Sequence, residues 1–236
     1  MRIERTRSMR DDSVQNLKRI LANTSLFRML DEQQLDEITS ATQPIRASTN
    51  TSVVSQGDAA KGVYLVVYGQ VKIGFDRKDG SEKTLCILGQ NKCFGLGEML
   101  LDRAHLAFVK TTTDSMLLHT SREKILDVAK TNFNFAQELM VCVGRQLYTL
   151  TRDIESYSLQ TAKQRLAGYL LRQSQYQGAD CIELVASKTL IASRLSLTPE
   201  TLSRLLHDFS SDGMISVTGR RIKILDYEKM GALMSS

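Results

Sequence analysis

The spacing of apolar residues changes three times along the chain, and each change predicts a different kind of element. Between residues 12 and 41 the spacing is helical: Val14, Leu17 and Leu21 in one stretch, Leu35 and Ile38 in the next. Ser25-Leu26-Phe27 separates the two, and residues 1–11 read as a frayed end. From Ile45 to Thr120 the period becomes two. Val63, Leu65 and Val67 share a face, Val71 and Ile73 continue after Gly69, Thr84–Leu88 follows a turn at Asp79-Gly80, and Leu117–His119 is a late strand. Short strands punctuated by Gly57, Gly62, Gly69, Gly80, Gly89, Gly95 and Gly97 predict a small antiparallel roll or barrel.

Helical spacing returns over Ser121–Tyr157, with the long helix at 133–157. Phe133, Ala136, Met140, Val143, Leu147, Leu150, Ile154 and Tyr157 alternate steps of three and four. A helix packed on its own domain would show such a pattern too. The length of the run, with Arg145, Arg152 and Glu155 off the seam, predicts pairing with a second copy of the chain. The remainder, 159–236, reads as a compact helical unit ending in a hairpin: a short strand at Ile182–Val185, then Met214–Val217 and Arg221–Leu225 around Thr218-Gly219-Arg220. The expected class is α+β. A roll with N-terminal helices occupies 1–120, a dimerisation helix and linker 121–158, and a winged helix-turn-helix 159–236.

The strongest chemical signal lies in Ser187–Gly213. Ser187 can cap a helix running to Arg194, with Leu190 and Ile191 inward, and Leu195-Ser196-Leu197 makes a turn. Thr198 caps a second helix with Pro199 at its first position, where no N–H is needed. Asp212-Gly213 stops it. Leu202, Leu205, Leu206 and Phe209 fall on one face; Glu200, Ser203, Arg204 and His207 fall on the other. The polar face suits a major groove: arginine can bond guanine O6 and N7, glutamate can accept from a cytosine amine, and serine reads base or phosphate. Arg220 and Arg221 at the hairpin tip would reach flanking phosphates, and Ser187, Thr189, Thr198 and Pro199 complete the expected DNA-binding set. The competing reading is a solvated face with a Glu200–Arg204 ion pair.

Composition adds little. The 236 residues carry a net charge of +5 with 42% hydrophobic residues, enough for real cores and permissive of a polyanionic partner. The charged N-terminus and the lack of an apolar run of membrane-spanning length argue against export or a membrane partner. Four cysteines without metal spacing fit a reducing cytoplasm. No nucleophile elbow, P-loop or zinc-spaced set suggests an enzyme. Gly95-Leu96-Gly97 is half of a dinucleotide fingerprint, but it lies where no helix is expected to open after a strand.

At these residues the chain resembles the bacterial CRP/FNR family of regulators, over nearly its whole length. The resemblance rests on Leu190-Ile191-Ala192 through Pro199-Glu200-Thr201-Leu202-Ser203-Arg204-Leu205-Leu206, on Gln56-Gly57-Asp58, on Val63 through Ile73, and on Phe94-Gly95-Leu96-Gly97-Glu98-Met99. It implies a cyclic-nucleotide-binding-type roll, a long dimer helix and a winged helix-turn-helix on a palindromic operator in double-stranded DNA, with RNA polymerase as a further partner. Glu200, Ser203 and Arg204 match the E-x-x-S-R pattern of the FNR branch, which reads TTGAT-type half-sites in inverted repeat. Pro199 and Ser203 stand where the cyclic-AMP branch has arginine and glycine. The resemblance is greatest to the nitrogen-oxide-responsive (DNR-type) group.

The same resemblance frames the effector. Gly97-Glu98-Met99 begins a cyclic-AMP cassette, and Glu98 could hold a ribose hydroxyl. The stretch His105-Leu106-Ala107-Phe108-Val109, however, brings no arginine for the cyclic phosphate, and Arg103 comes too early. An iron–sulfur cluster would need cysteines near the N-terminus, and residues 1–85 have none. Haem sensing a diatomic gas remains, with His105 the leading ligand and Met99, Met116 and His119 behind it. So do a Cys86/Cys93 redox switch and action without a ligand. A different class, a nucleotide-binding subunit regulating a protein partner, would tolerate charge reversal on the Glu200/Ser203/Arg204 face.

Overall fold

The computed structural model describes residues 14–77, 80–184 and 186–234; the expected frayed end at 1–11 and the residues Asp12, Asp79 and Val185 lie outside them. The chain divides into two compact units, Met1–Lys78 with Leu85–Leu147, and Asp79–Thr84 with Tyr148–Ser236.

The first unit begins with α1 (residues 14–22) and α2 (Glu32–Ser40). A capping box opens α2: the Asp31 side chain accepts the Gln34 N–H, and the Gln34 side chain accepts the Asp31 N–H. Strands β1 (Thr42–Ala47), β2 (Ser52–Val54), β3 (Gly62–Tyr68), β4 (Val71–Asp76), β5 (Glu82–Leu88, whose first residues, through Thr84, are counted with the second unit) and β6 (Cys93–Phe94) follow. After α3 (Leu96–Leu101) come β7 (Phe108–Thr111) and β8 (Ser115–Ser121). They form two four-stranded sheets, β1-β8-β3-β6 and β2-β7-β4-β5, the expected roll. Strand β3 is buried on both faces. Val63, Leu65 and Val67 pack with Leu21, Phe27, Ile38 and Ile125, while Val66 packs with Val54, Val71, Phe94 and Leu117. That explains why 63–67 reads as a nearly continuous apolar run rather than a strict alternation. Gly62 permits the close pairing of β3 with β8, because a Cβ there would lie 2.0 Å from the Thr120 carbonyl oxygen. Gly69 turns the chain into β4 at φ +83°.

The helical stretch Ser121–Tyr157 holds two helices, α4 (Arg122–Thr131) and α5 (Phe133–Leu159), the second being the long helix expected at 133–157. Asn132 breaks it in extended backbone (φ −123°, ψ 102°). Its carboxamide caps α5 by accepting the Phe135 N–H, and donates to the Met29 carbonyl and the Gln34 side chain. Phe135 and Leu139 of α5 enter the same core as Leu21 and Ile125.

The second unit contains the end of α5, α6 (Ala162–Gln177), β9 (Cys181–Glu183), α7 (Lys188–Arg194), α8 (Pro199–Ser211), β10 (Ile215–Thr218), β11 (Arg221–Ile224) and α9 (Tyr227–Ala232). Thr161 and Gln164 form a capping box for α6. The sheet order is β10-β11-β9. The expected hairpin is present but does not end the unit: α9 follows, with its Met230 fully buried.

Candidate nucleic-acid interface

The helix-turn-helix forms as the capping residues require. Ser187 Oγ accepts the Leu190 N–H at 3.2 Å and opens α7. Ser196 takes a left-handed conformation (φ 56°) in the turn, and the Leu197 N–H closes back on the Ala192 carbonyl. Thr198 then caps α8 by accepting the Thr201 N–H, with Pro199 in the first turn. Leu202, Leu205, Leu206 and Phe209 are buried, joining Ile191, Ala192, Ile182 and Ile222 as core residues of the unit. Glu200, Ser203, Arg204 and His207 are all exposed on the opposite face.

The competing i,i+4 ion pair does not form: Glu200 and Arg204 make no salt bridge with each other. The Glu200 carboxyl instead accepts from its own backbone N–H and the Thr198 hydroxyl, which hold it below the usual carboxylate range. Among the described residues Arg204 has no ion-pair partner, and it shares its face with a carboxylate kept ionised at the helix N-terminus, where the dipole favours it. Thr189 and Lys188 are exposed on α7. At the wing, Arg221 is exposed, whereas Arg220 spends its Nε on the Leu184 carbonyl at 3.1 Å and so braces the hairpin as well.

Several polar contacts that sequence reasoning missed converge on the end of α7. Arg194 pairs with Asp153 of α5 at 2.7 Å and bonds the Tyr157 hydroxyl, which donates to the Arg194 carbonyl. Arg165 Nε donates to the Leu195 carbonyl, and Lys83 Nζ to the Ser193 carbonyl and the Ser196 hydroxyl. These partners come from distant segments, so no local spacing announces them.

On α5 the expected seam divides by depth. Phe133, Met140, Leu147 and Ile154, each seven residues apart, are exposed, as is Leu150; Leu147 and Ile154 are 64% and 65% exposed. Ala136 and Val143 are half-buried, and Val143 packs against the core of the first unit. Tyr157 is half-buried and engaged with Arg194. Val141 and Tyr148, outside the expected set, are exposed beside the stripe.

In the roll, the Gly97-Glu98-Met99 cassette is helical. The stretch expected to lack a helix after a strand holds β6, a left-handed Gly95 and the six-residue α3. Glu98 is half-buried, but Met99 is a core residue with no exposure, which suits packing rather than ligation. His105 is only 5% exposed. Its backbone bonds Asp58 and Gly57, and its ring lies near the position a Cβ on Gly95 would take. His119 stacks at a tilt on Tyr64; burial, then the neighbouring His105, lowers its pKa. Burial pushes the Cys93 thiol up to about 12, which keeps it protonated and unreactive as one half of the Cys86/Cys93 pair. Among the described residues no helix is long and apolar enough to cross a membrane.

Comparison with known proteins gives both units a family. Residues 44–132 match the model of the cyclic nucleotide-binding domain, and 164–233 that of the Crp-like helix-turn-helix domain. A CRP-like cAMP-activated global transcriptional regulator of Mycobacterium tuberculosis is 23% identical over 216 residues, covering 89% of this chain and 96% of that one. The cyclic AMP receptor protein of Thermus thermophilus is 26% identical over 195 residues, covering 83% and 89%. Among solved structures, FixK2 from Bradyrhizobium japonicum superposes with a TM-score of 0.75 at 21% identity, over 83% of this chain and 98% of that one. The first of these relatives is named as a regulator of transcription. With both domain models matched in order, and α8 presenting a capped, polar reading face, the chain is a DNA-binding transcription regulator of the CRP/FNR type.

Proposed function

We propose that the protein acts as a homodimer that reads an inverted repeat of TTGAT-type half-sites, with an effector in the roll controlling its affinity. The observation that carries the reading is the exposed Glu200/Ser203/Arg204 face, free of ion pairs among the described residues, on a helix whose opposite face is buried. Two such helices, brought together through the exposed stripe of α5, would meet half-sites about one helical turn apart. An effector that packs differently in two states of the roll would move them in or out of register. RNA polymerase is the proposed partner of the DNA-bound dimer. The test is fluorescence anisotropy of the full chain on a labelled inverted-repeat duplex and on a scrambled duplex. Arg204→Glu should abolish the preference for the repeat while leaving the circular dichroism spectrum unchanged. Preference retained in that variant would refute the reading and favour a subunit that acts on a protein partner.

For the effector, two readings can be tested directly. Cyclic AMP is suggested by the two relatives named for it and by Glu98, half-buried on α3. Against it stands the stretch His105–Val109, which brings no arginine to a cyclic phosphate. Calorimetric titration with cyclic AMP decides this, and absence of heat removes the reading. Haem sensing nitric oxide, as in the DNR-type group, would use His105. The present packing of His105 leaves no open face for a haem, so the roll would have to open to admit one. A Soret band that appears with added haem, shifts with nitric oxide and is lost in His105→Ala supports it; a flat spectrum removes it.

A further inference from the structure

The C-terminal end of α7 leaves carbonyls without helical partners, as every helix end does. Here three successive ones accept side-chain donors from elsewhere in the second unit: Ser193, which also accepts the Ser196 N–H, from Lys83, Arg194 from Tyr157, and Leu195 from Arg165. All three donors belong to a part of the unit other than the helix-turn-helix itself. At Arg194 the contact also runs the other way, as a charged pair. Its guanidinium reaches back to the Asp153 carboxylate at 2.7 Å and to the Tyr157 hydroxyl. Both partners of the ion pair are about four-fifths covered, with side-chain exposures of 19% and 21%.

The surroundings make this pair more than a surface contact. Arg172 is half-buried nearby and is repelled by Arg152 and Arg194, while Asp153 attracts it. Asp153 thus faces two cations, Arg194 and Arg172, and neutralising it would leave Arg194 beside like charge without this carboxylate. Beyond Arg194 the chain has little slack. Leu195–Leu197 form the turn, Leu197 bonds back to Ala192, and Thr198 caps α8 at once. The orientation of α7 is therefore the orientation of α8. Asp153 and Tyr157 lie on the same helix as the exposed Leu147, Leu150 and Ile154.

We propose that Arg194 is a positioning residue: through Asp153 and Tyr157 it ties the recognition helix to α5, and so sets the half-site spacing that the dimer accepts. This rests on the dimeric operator reading above. It predicts a loss of spacing discrimination rather than a loss of base reading.

The experiment uses the full chain, as wild type, Arg194→Met, Arg194→Lys and Asp153→Asn. Labelled duplexes carry one half-site, or two at centre spacings stepped by single base pairs. Wild type should prefer one spacing. In Arg194→Met and Asp153→Asn that preference should fall about tenfold, with single-half-site affinity changed less than about twofold. Arg194→Lys, which keeps the ion pair, should recover part of it. A second readout needs no DNA: nitroxides at His207→Cys, in a Cys181→Ser background, report the distance between the two recognition helices. The distribution should broaden in Arg194→Met, while labels at Gly144→Cys on α5 keep their width. Unchanged spacing preference and unchanged widths would overturn the proposal. So would an equal loss on every duplex, single half-site included, which is what mere destabilisation gives. If wild type shows neither a spacing preference nor any distance between copies, the dimeric reading itself has failed, and this inference falls with it.

Discussion

Leu147 offers the most direct test of pairing through α5, because it stands exposed in a single chain. Burying a whole leucine side chain is worth about 1.5–3 kcal/mol. With 64% of Leu147 open to solvent, pairing would gain about 1–2 kcal/mol from each copy, or about 2–4 kcal/mol for the two. Leu147→Glu forfeits that gain and places two like charges on the seam. At about 1.4 kcal/mol per tenfold, the dimer Kd should rise by roughly 30- to 1,000-fold. Folding of one chain should be spared, since substitutions at exposed positions away from caps and cores usually stay within about 0.5 kcal/mol. Sedimentation equilibrium over a range of concentrations reads the first effect, and thermal unfolding at a concentration where both proteins are monomeric reads the second. Ile154→Glu should behave alike. Gln137→Glu, on an exposed polar position of the same helix, should not. Wild type and Leu147→Glu with the same mass distribution at every concentration would refute pairing through this stripe.

Three further outcomes follow from local chemistry. Thr198→Ala removes the cap that accepts the Thr201 N–H and should cost about 1 kcal/mol, whereas Thr198→Asn should cost little; equal losses in thermal unfolding would show that the cap contributes nothing. At pH 8 iodoacetamide should modify exposed Cys181 quickly and leave Cys93 untouched until the chain is unfolded, because the Cys93 thiol, at about 12, stays protonated; mass spectrometry of the peptides gives the order. His119 has a lowered pKa in the folded state, so below about pH 6.5 the unfolded chain takes up a proton that the folded one refuses, and stability falls as pH drops through that window. The fall in urea midpoint from pH 7 to pH 5 should shrink in His119→Gln; an unchanged fall would assign it to other groups.

The parts of the fold that were legible in sequence share one property: their signal is local. Thr198-Pro199 followed by Leu202, Leu205, Leu206 and Phe209 states the cap, the start and the buried face of α8 within twelve residues. The run Val63–Val67 announces a strand, and its unusual density of apolar side chains reflects burial on two sides. Features set by distant partners were not legible. Helix α3 is too short for any periodicity and is bounded by left-handed residues, Gly95 and Asp102. The break at Asn132 depends on Met29 and Gln34, a hundred residues earlier. Tyr157 keeps the heptad spacing yet turns its hydroxyl to Arg194, because a polar tip on an aromatic ring finds a hydrogen bond when it is covered. Likewise the reading residues of α8 were visible, but the groups that hold α7 in place were not.

The carboxamide of Asn132 has a consequence for anyone who would dissect the molecule. It is a rivet through three layers: the loop at Met29, the cap of α2 and the first turn of α5. Seen this way, the N-terminal helices are a bracket on which the long helix is mounted rather than a preface to the roll. A fragment trimmed to begin at the first strand would keep every sheet residue and still lose the mount. Grafting this roll onto another output module should therefore carry residues 14–40 along with it, or Asn132 will have nothing to fasten.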